Sequence, residues 1–169
     1  MNKRSKLKTL VVFYSRTGTT KKVAEMVASK LACDIEEITD LKNRGGPLGW
    51  LSAGRDAGNK SLTKIGKLIK NPKNYDLTVI GSPVWNGTVS APIRTYILEN
   101  GDSLGRIALF LTGYAPDNRQ VVNEVAGLLK EKMLASLDLN NKLVLSDKYY
   151  EKLEEFLRSL NNLSIKDGK

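Results

Sequence analysis

Residues 10–31, LVVFYSRTGTTKKVAEMVASKL, constrain the fold more than any other stretch of the chain. Five consecutive apolar or aromatic residues stop at a cluster of hydroxyls around one glycine, and a helical pattern follows at once. A run of that length, apolar at every position, reads as a strand buried on both faces. Over residues 20–31 the apolar positions are Val23, Ala24, Val27, Ala28 and Leu31, which is the helical period. A doubly buried strand feeding straight into an amphipathic helix is the first half of a parallel βαβ crossover.

The rest of the chain repeats that alternation. Residues 33–38 alternate weakly, as an edge strand can, with Cys33, Ile35 and Glu37 on one side. Residues 39–62 hold five glycines and read as a long excursion with a short or imperfect helix, running into a helix near 61–69. Residues 77–80 form a buried strand that ends in Gly81-Ser82-Pro83. Ser90 is placed to cap a helix with Pro92 in its first turn and Ile93, Ile97 and Leu98 along it. Residues 107–111 make another buried strand, ending in Thr112-Gly113. Asp117 is placed to cap the helix that carries Val121, Val122, Val125, Leu128 and Leu129. A fifth strand falls within 134–145, with 135–139 preferred and 142–145 the competing register. Asp147 is then placed to cap a last helix with Leu153, Phe156, Leu157 and Leu160 inward. The expected architecture is α/β: one doubly wound, five-stranded parallel sheet with helices on both faces. Its domain spans 9–162, between flexible tails at 1–8 (basic) and 163–169.

Composition removes whole classes of chemistry. The chain has no histidine, so Ser-His-Asp and Cys-His catalysis and His-ligated metals are excluded. Cys33 is the single cysteine, which rules out an internal disulfide and fits a small hydrophobe at a strand start. No catalytic side chain and no metal site are expected. No apolar run approaches the ~20 residues of a membrane-spanning helix. The run behind MNKRSKLK is too short for a signal sequence, so a cytoplasmic protein is expected. The net charge of +9 is uneven: residues 42–73 carry eight basic residues against one acid, Asp56. Lys60, Lys64 and Lys67 at helical spacing would make a positive stripe. It reads either as a solvated face or as a dock for an acidic partner, a phosphate-bearing substrate or nucleic acid. No RNA-binding signature accompanies it, so nucleic acid is not an expected partner.

Three chemically unusual loops remain: SRTGTT (15–20), SPVWNGTVSAP (82–92) and TGYAPDN (112–118). With strand order 2-1-3-4-5 they leave the carboxyl ends of adjacent strands, where ligands of open α/β sheets bind. In the first loop, unsatisfied helix-start amides, Gly18 and four hydroxyls suit one phosphate held by neutral donors. The plainer alternative is that Thr19 or Thr20 only caps the helix. No Gly-Lys-Ser/Thr follows, which disfavours a nucleoside triphosphate. Trp85 and Tyr114, on the other two loops, could flank a planar ring whose edge meets the backbone of Asn86, Gly87, Gly113 and Tyr114. Asn86-Gly87 also permits positive φ angles. Asp117 is the one acid expected near these loops, with Arg16 and Arg94 close in sequence.

The segments YSRTGTTKKVAE, YDLTVIGSPVWNGTVSAPIRTYI and LFLTGYAPDN resemble the flavodoxin family, and the likeness runs from about Leu10 to Leu160. It implies a flavodoxin-like fold with order 2-1-3-4-5 and FMN as cofactor. Ser15, Arg16, Thr17, Gly18, Thr19 and Thr20 would form the phosphate loop. Pro83, Val84, Trp85, Asn86 and Gly87, with Thr112, Gly113 and Tyr114, would flank the isoalloxazine. The chain looks like the short-chain type, with its extra length in the 40–70 excursion. The implied function is electron transfer through non-covalent FMN to redox partner proteins, acidic ones among them. An NAD(P)H-dependent FMN oxidoreductase acting on a quinone or similar acceptor is the alternative. A flavin-free binding scaffold comes third, and the intact phosphate loop argues against it. The familiar flavodoxins are acidic and this chain is basic, which predicts a less negative second reduction potential.

Overall fold

The computed structural model describes residues 7–129 and 133–166, the side chains at 50 and 163–166 excepted. Of the expected tails, residues 1–6 and 167–169 lie outside the described residues, and 163–166 form the end of the last helix. Strand β1 (Thr9–Phe13) leads into α1 (Thr19–Leu31), β2 (Asp34–Glu37) and α2 (Gly46–Gly58). Then come β3 (Leu77–Trp85), β4 (Thr88–Val89), α3 (Ala91–Asn100), β5 (Arg106–Gly113) and α4 (Arg119–Leu128). The chain closes with β6 (Met133–Asn140), α5 (Asn141–Leu145) and α6 (Tyr150–Lys166).

Five parallel strands line up in the order β2-β1-β3-β5-β6, and β4 pairs antiparallel with the end of β3. Counting parallel strands only, this is the expected 2-1-3-4-5. The alternation of side chains along each strand builds two cores. Val11, Phe13, Val79, Ala108 and Phe110 face α1 and α6. Leu10, Val12, Ile80, Ile107, Leu109 and Leu111 face α3 and α4. Gly81 has a steric reason to be glycine, because a Cβ there would lie 2.1 Å from Cζ of Phe110. Cys33 is half-buried and packs on the first core just before β2.

The excursion differs from expectation in a way that matters for function. Its helix is not short: α2 runs for thirteen residues although four of them are glycine. Packing outweighs propensity here. A Cβ on Gly49 would lie 2.2 Å from the backbone of Arg44, and one on Gly58 would lie 2.3 Å from Asn86 Nδ2. The glycines let the helix press against its neighbours. The helix expected near 61–69 does not form. That segment is an extended strap, with Leu41 N–H donating to Lys64 O (2.9 Å) and Gly66 N–H to Thr39 O (2.8 Å). Asp40 and Ile65 form an antiparallel bridge between the two strips. Further along, the amides of Ile69 and Lys70 donate to the Glu36 carboxylate at 2.5 and 2.7 Å. Donors spent on partners so far away in sequence are not available to a helix ladder. Lys60, Lys64 and Lys67 therefore form no helical stripe.

Two expected caps move as well. Asn118, not Asp117, is the N-cap of α4; Asp117 Oδ1 accepts the Arg119 amide at 2.9 Å instead. Asn118 is fixed by Asp138, to which its own amide and side chain donate at 3.0 and 2.8 Å. Asp147 lies three residues before α6: it follows α5 with φ 57°, and its carboxylate pairs with Lys22 at 2.8 Å. Ser90 is the N-cap of α3, but its amide donates to Ser82 Oγ at 3.1 Å, and its hydroxyl makes no cap bond. Residues 135–139 lie within β6, and the competing stretch 142–145 is part of α5.

Candidate functional site

The loops after β1, β3 and β5 meet in one cleft of about 790 Å³. The first loop turns through Gly18 at φ 90°, a left-handed conformation that favours glycine. Ser15 Oγ braces the turn by accepting the Gly18 amide at 3.1 Å. Helix α1 then starts with no capping side chain and no acid in its first turn. Neither Thr19 nor Thr20 caps it. Its first-turn amides and positive dipole end are left for an anion. Thr20 Oγ1 is instead 2.8 Å from Thr112 Oγ1, both buried, which ties the first loop to the third.

The second loop is a two-residue hairpin between β3 and β4, with Asn86 at φ 47° and Gly87 at φ 75°. Positive φ at both positions is the turn that matches strand twist, and Asn-Gly is its usual sequence. Trp85 is set by two contacts. Its ring meets Tyr14 edge-on with centroids 5.5 Å apart, and the Arg44 guanidinium carbon lies 5.6 Å from its centroid. Below the hairpin, Glu124 accepts from Thr88 Oγ1 (2.7 Å) and Arg94 Nη2 (2.7 Å) and pairs with Lys60. Burial works against the charge of Glu124, but these hydrogen bonds outweigh it and hold its carboxyl below the usual range. Arg94 is thus buried and committed to Glu124, and it does not line the cleft. On the third loop Tyr114 is 69% exposed, and its carbonyl accepts from Asn140 Nδ2 at 3.2 Å.

Twelve of the fourteen residues expected to bind cofactor line this cleft: Arg16, Thr17, Thr19 and Thr20, all five from Pro83 to Gly87, and Thr112, Gly113 and Tyr114. Ser15 and Gly18 do not line it and act by shaping the turn. Helix α2 supplies a further wall with Leu51, and with Ala53, Gly54 and Arg55, which reading the sequence alone missed. Ala115 and Asn141 were missed too, and Asn141 Oδ1 is buried there without a hydrogen-bond partner. The cluster of glycines in an otherwise irregular segment was the available signal that backbone presses close against something.

Among the described residues no aspartate or glutamate lines the cleft, whereas Arg16 and Arg55 both do. Asp117 is turned to Arg119, its nearest Nη 2.7 Å away. Behind the α2 wall lies a buried charge cluster. Arg44 donates through Nε to Asp40 and through Nη1 to Asp56 at 2.8 Å, and Lys42 Nζ is 2.5 Å from Asp56. Among the described residues no group of three potential metal ligands occurs, and no helix is long and apolar enough to cross a membrane.

The chain matches the flavodoxin family over residues 8–158. It belongs to the flavodoxin family. No curated protein matches it. Among solved structures it is similar to a Lactobacillus acidophilus flavoprotein in complex with FMN. The two share 28% identity and a TM-score of 0.68, over 78% of this chain and 93% of that one. It shares its fold with an NADH:FMN oxidoreductase in the apo form: 13% identity, TM-score 0.59, 94% and 89% covered. It also shares its fold with the general stress protein 14 of Treponema denticola, solved with FMN: 14% identity, TM-score 0.56, 92% and 99% covered.

Proposed function

We propose that this flavodoxin-family chain binds FMN without a covalent link and acts as an electron-transfer protein. One observation carries the reading: a helix start with no protein cap opens into the same cleft as Trp85, Tyr114 and a positive-φ hairpin. The residues present fit the cofactor. The amides and hydroxyls of Thr17, Thr19 and Thr20 would hold the phosphate. The side chains of Trp85 and Tyr114 would flank the ring, with the hairpin backbone at its edge. When bound, FMN supplies the one- and two-electron chemistry, and no side chain need act as acid or base. The chain's part is to orient the ring, exclude water from one side of it and set its electrostatics.

The partners in this reading are redox proteins in the cytoplasm, with acidic ones favoured by the basic surface of residues 42–73. A second reading, an NAD(P)H-dependent oxidoreductase, is favoured by the open mouth of the cleft, where Leu51 and Tyr114 are well exposed. An absorption spectrum of the purified protein, followed by FMN titration of any colourless fraction, tests the first claim. Flavin bands with fluorescence quenched by the neighbouring aromatics are expected. Absence of bound flavin together with no uptake of added FMN overturns it. Anaerobic NADPH then separates the two readings: prompt bleaching identifies the oxidoreductase, and an unchanged spectrum the carrier.

A further inference from the structure

Arg55 stands out because no contact among the described residues explains it. It lies in the last turn of α2, is exposed and lines the cleft. The adjacent acid, Asp56, is committed to Lys42 and Arg44, and no ion pair to Arg55 forms among the described residues. A cation in the last turn suits the helix dipole, but that does not account for its neighbour. Leu51, four residues earlier and hence on the same helix face, also lines the cleft and is 63% exposed. Three residues after Arg55, Gly58 abuts Asn86, so at a rise of about 1.5 Å per residue Arg55 stands beside the hairpin tip. Arg16, the other arginine of the cleft, belongs to the phosphate loop.

We infer that Arg55 and Leu51 form a second binding site at the mouth of the cleft, for a small aromatic anion that exchanges electrons with the cofactor. This rests on the FMN reading and holds whichever electron donor serves the protein. Leu51 supplies an apolar surface for the ring system, and Arg55 a charge for its carboxylate or sulfonate. With a quinone of this class, two electrons and two protons pass from the reduced cofactor and solvent to the quinone. The product is the diol, and the cofactor returns to its oxidised state.

The test uses FMN-loaded protein and two probes of the same shape, 1-naphthalenesulfonate and the neutral 1-naphthalenesulfonamide. Binding is read from perturbation of the flavin absorption. The anion is expected to bind about fivefold tighter than the neutral probe at low salt, and the preference to fade as ionic strength rises. Arg55→Gln should abolish the preference and Arg55→Glu reverse it, while Leu51→Ser should weaken both probes alike. Reoxidation of dithionite-reduced protein by 1,2-naphthoquinone-4-sulfonate and by 1,2-naphthoquinone should show the same pattern in their rate ratio. Equal binding of the two probes, binding of neither, or a preference that survives Arg55→Glu overturns the site. A protein that never takes up FMN is recognised before any probe is added, and that outcome overturns the cofactor reading itself.

Discussion

At the scale of single residues, the fold depends on a few contacts that leave no room. Gly81 is the sharpest, because its hydrogen occupies the space that brings β3 against the Phe110 ring. Gly81→Ala is expected to destabilise the protein by about 2 kcal/mol through overpacking, read as a lower urea midpoint with an unchanged slope. Phe110→Leu in the same chain should recover part of that loss, and strict additivity of the two costs would show that the ring is not the obstacle. Thr112 works at the site itself. Its buried hydroxyl meets that of Thr20 and joins the phosphate loop to the ring-flanking loop. Thr112→Val should cost about 1 kcal/mol of stability and weaken FMN binding measurably by titration. If affinity is unchanged, the link between the loops is structural only.

At the scale of elements, the central strands β1, β3 and β5 and the loops after them were legible because burial on both faces leaves an uninterrupted apolar signature, whereas the edge strands β2 and β6 offered only a weak alternation and a choice of registers. Residues 107–111 have no other reading, and glycine with hydroxyls or aromatics marks each strand end. The α2 wall and the strap at 61–69 were not legible, for a physical reason. Glycines that lower helix propensity at 49 and 58 are there for contacts with Arg44 and Asn86, which only the tertiary structure reveals. The amides of Ile69 and Lys70 are bonded to Glu36, more than thirty residues away. What holds α2 down is the cluster of Asp40, Lys42, Arg44 and Asp56, and it carries a pH dependence. Burial opposes the charge on Asp56, yet hydrogen bonds from Lys42 and Arg44 outweigh it, so its carboxyl titrates below the ordinary carboxylate value. Arg44 stays charged, because those same carboxylates raise its pKa against the opposing effect of burial. A depressed folded pKa means that the stabilisation is fully present above the unfolded value of about 4 and is lost as pH falls through the lower, folded one. Amide exchange from α2, corrected for the intrinsic pH dependence, should therefore be level from neutral pH to about 5 and rise below about 4. Asp56→Asn should show the loosened helix already at neutral pH, and identical protection in both proteins at neutral pH would remove the cluster from this role.

At the scale of the whole molecule, the distribution of charge sets this protein apart from the acidic flavodoxins that its sequence resembles. The chain carries +9, and among the described residues the charged ones that reach the cleft, Arg16 and Arg55, are both cations. A positive environment lowers the free energy of an anionic state, and a negative one raises it. A bound flavin would be anionic when fully reduced, so the second of its two one-electron potentials should be less negative here than in acid-faced relatives. The arginines differ in reach: Arg16 is half-buried and Arg55 exposed, so the contribution of Arg55 should be the more strongly screened by salt. Potentiometric titration of the FMN-loaded protein checks both statements. Neutralising the pair as Arg16→Gln with Arg55→Gln should move the second step to more negative potential. In the Arg55→Gln single variant, the displacement should shrink between low and high ionic strength. A strongly negative second step in the native chain, unmoved by either substitution, would mean that backbone contacts at the 85–87 hairpin set the potential instead.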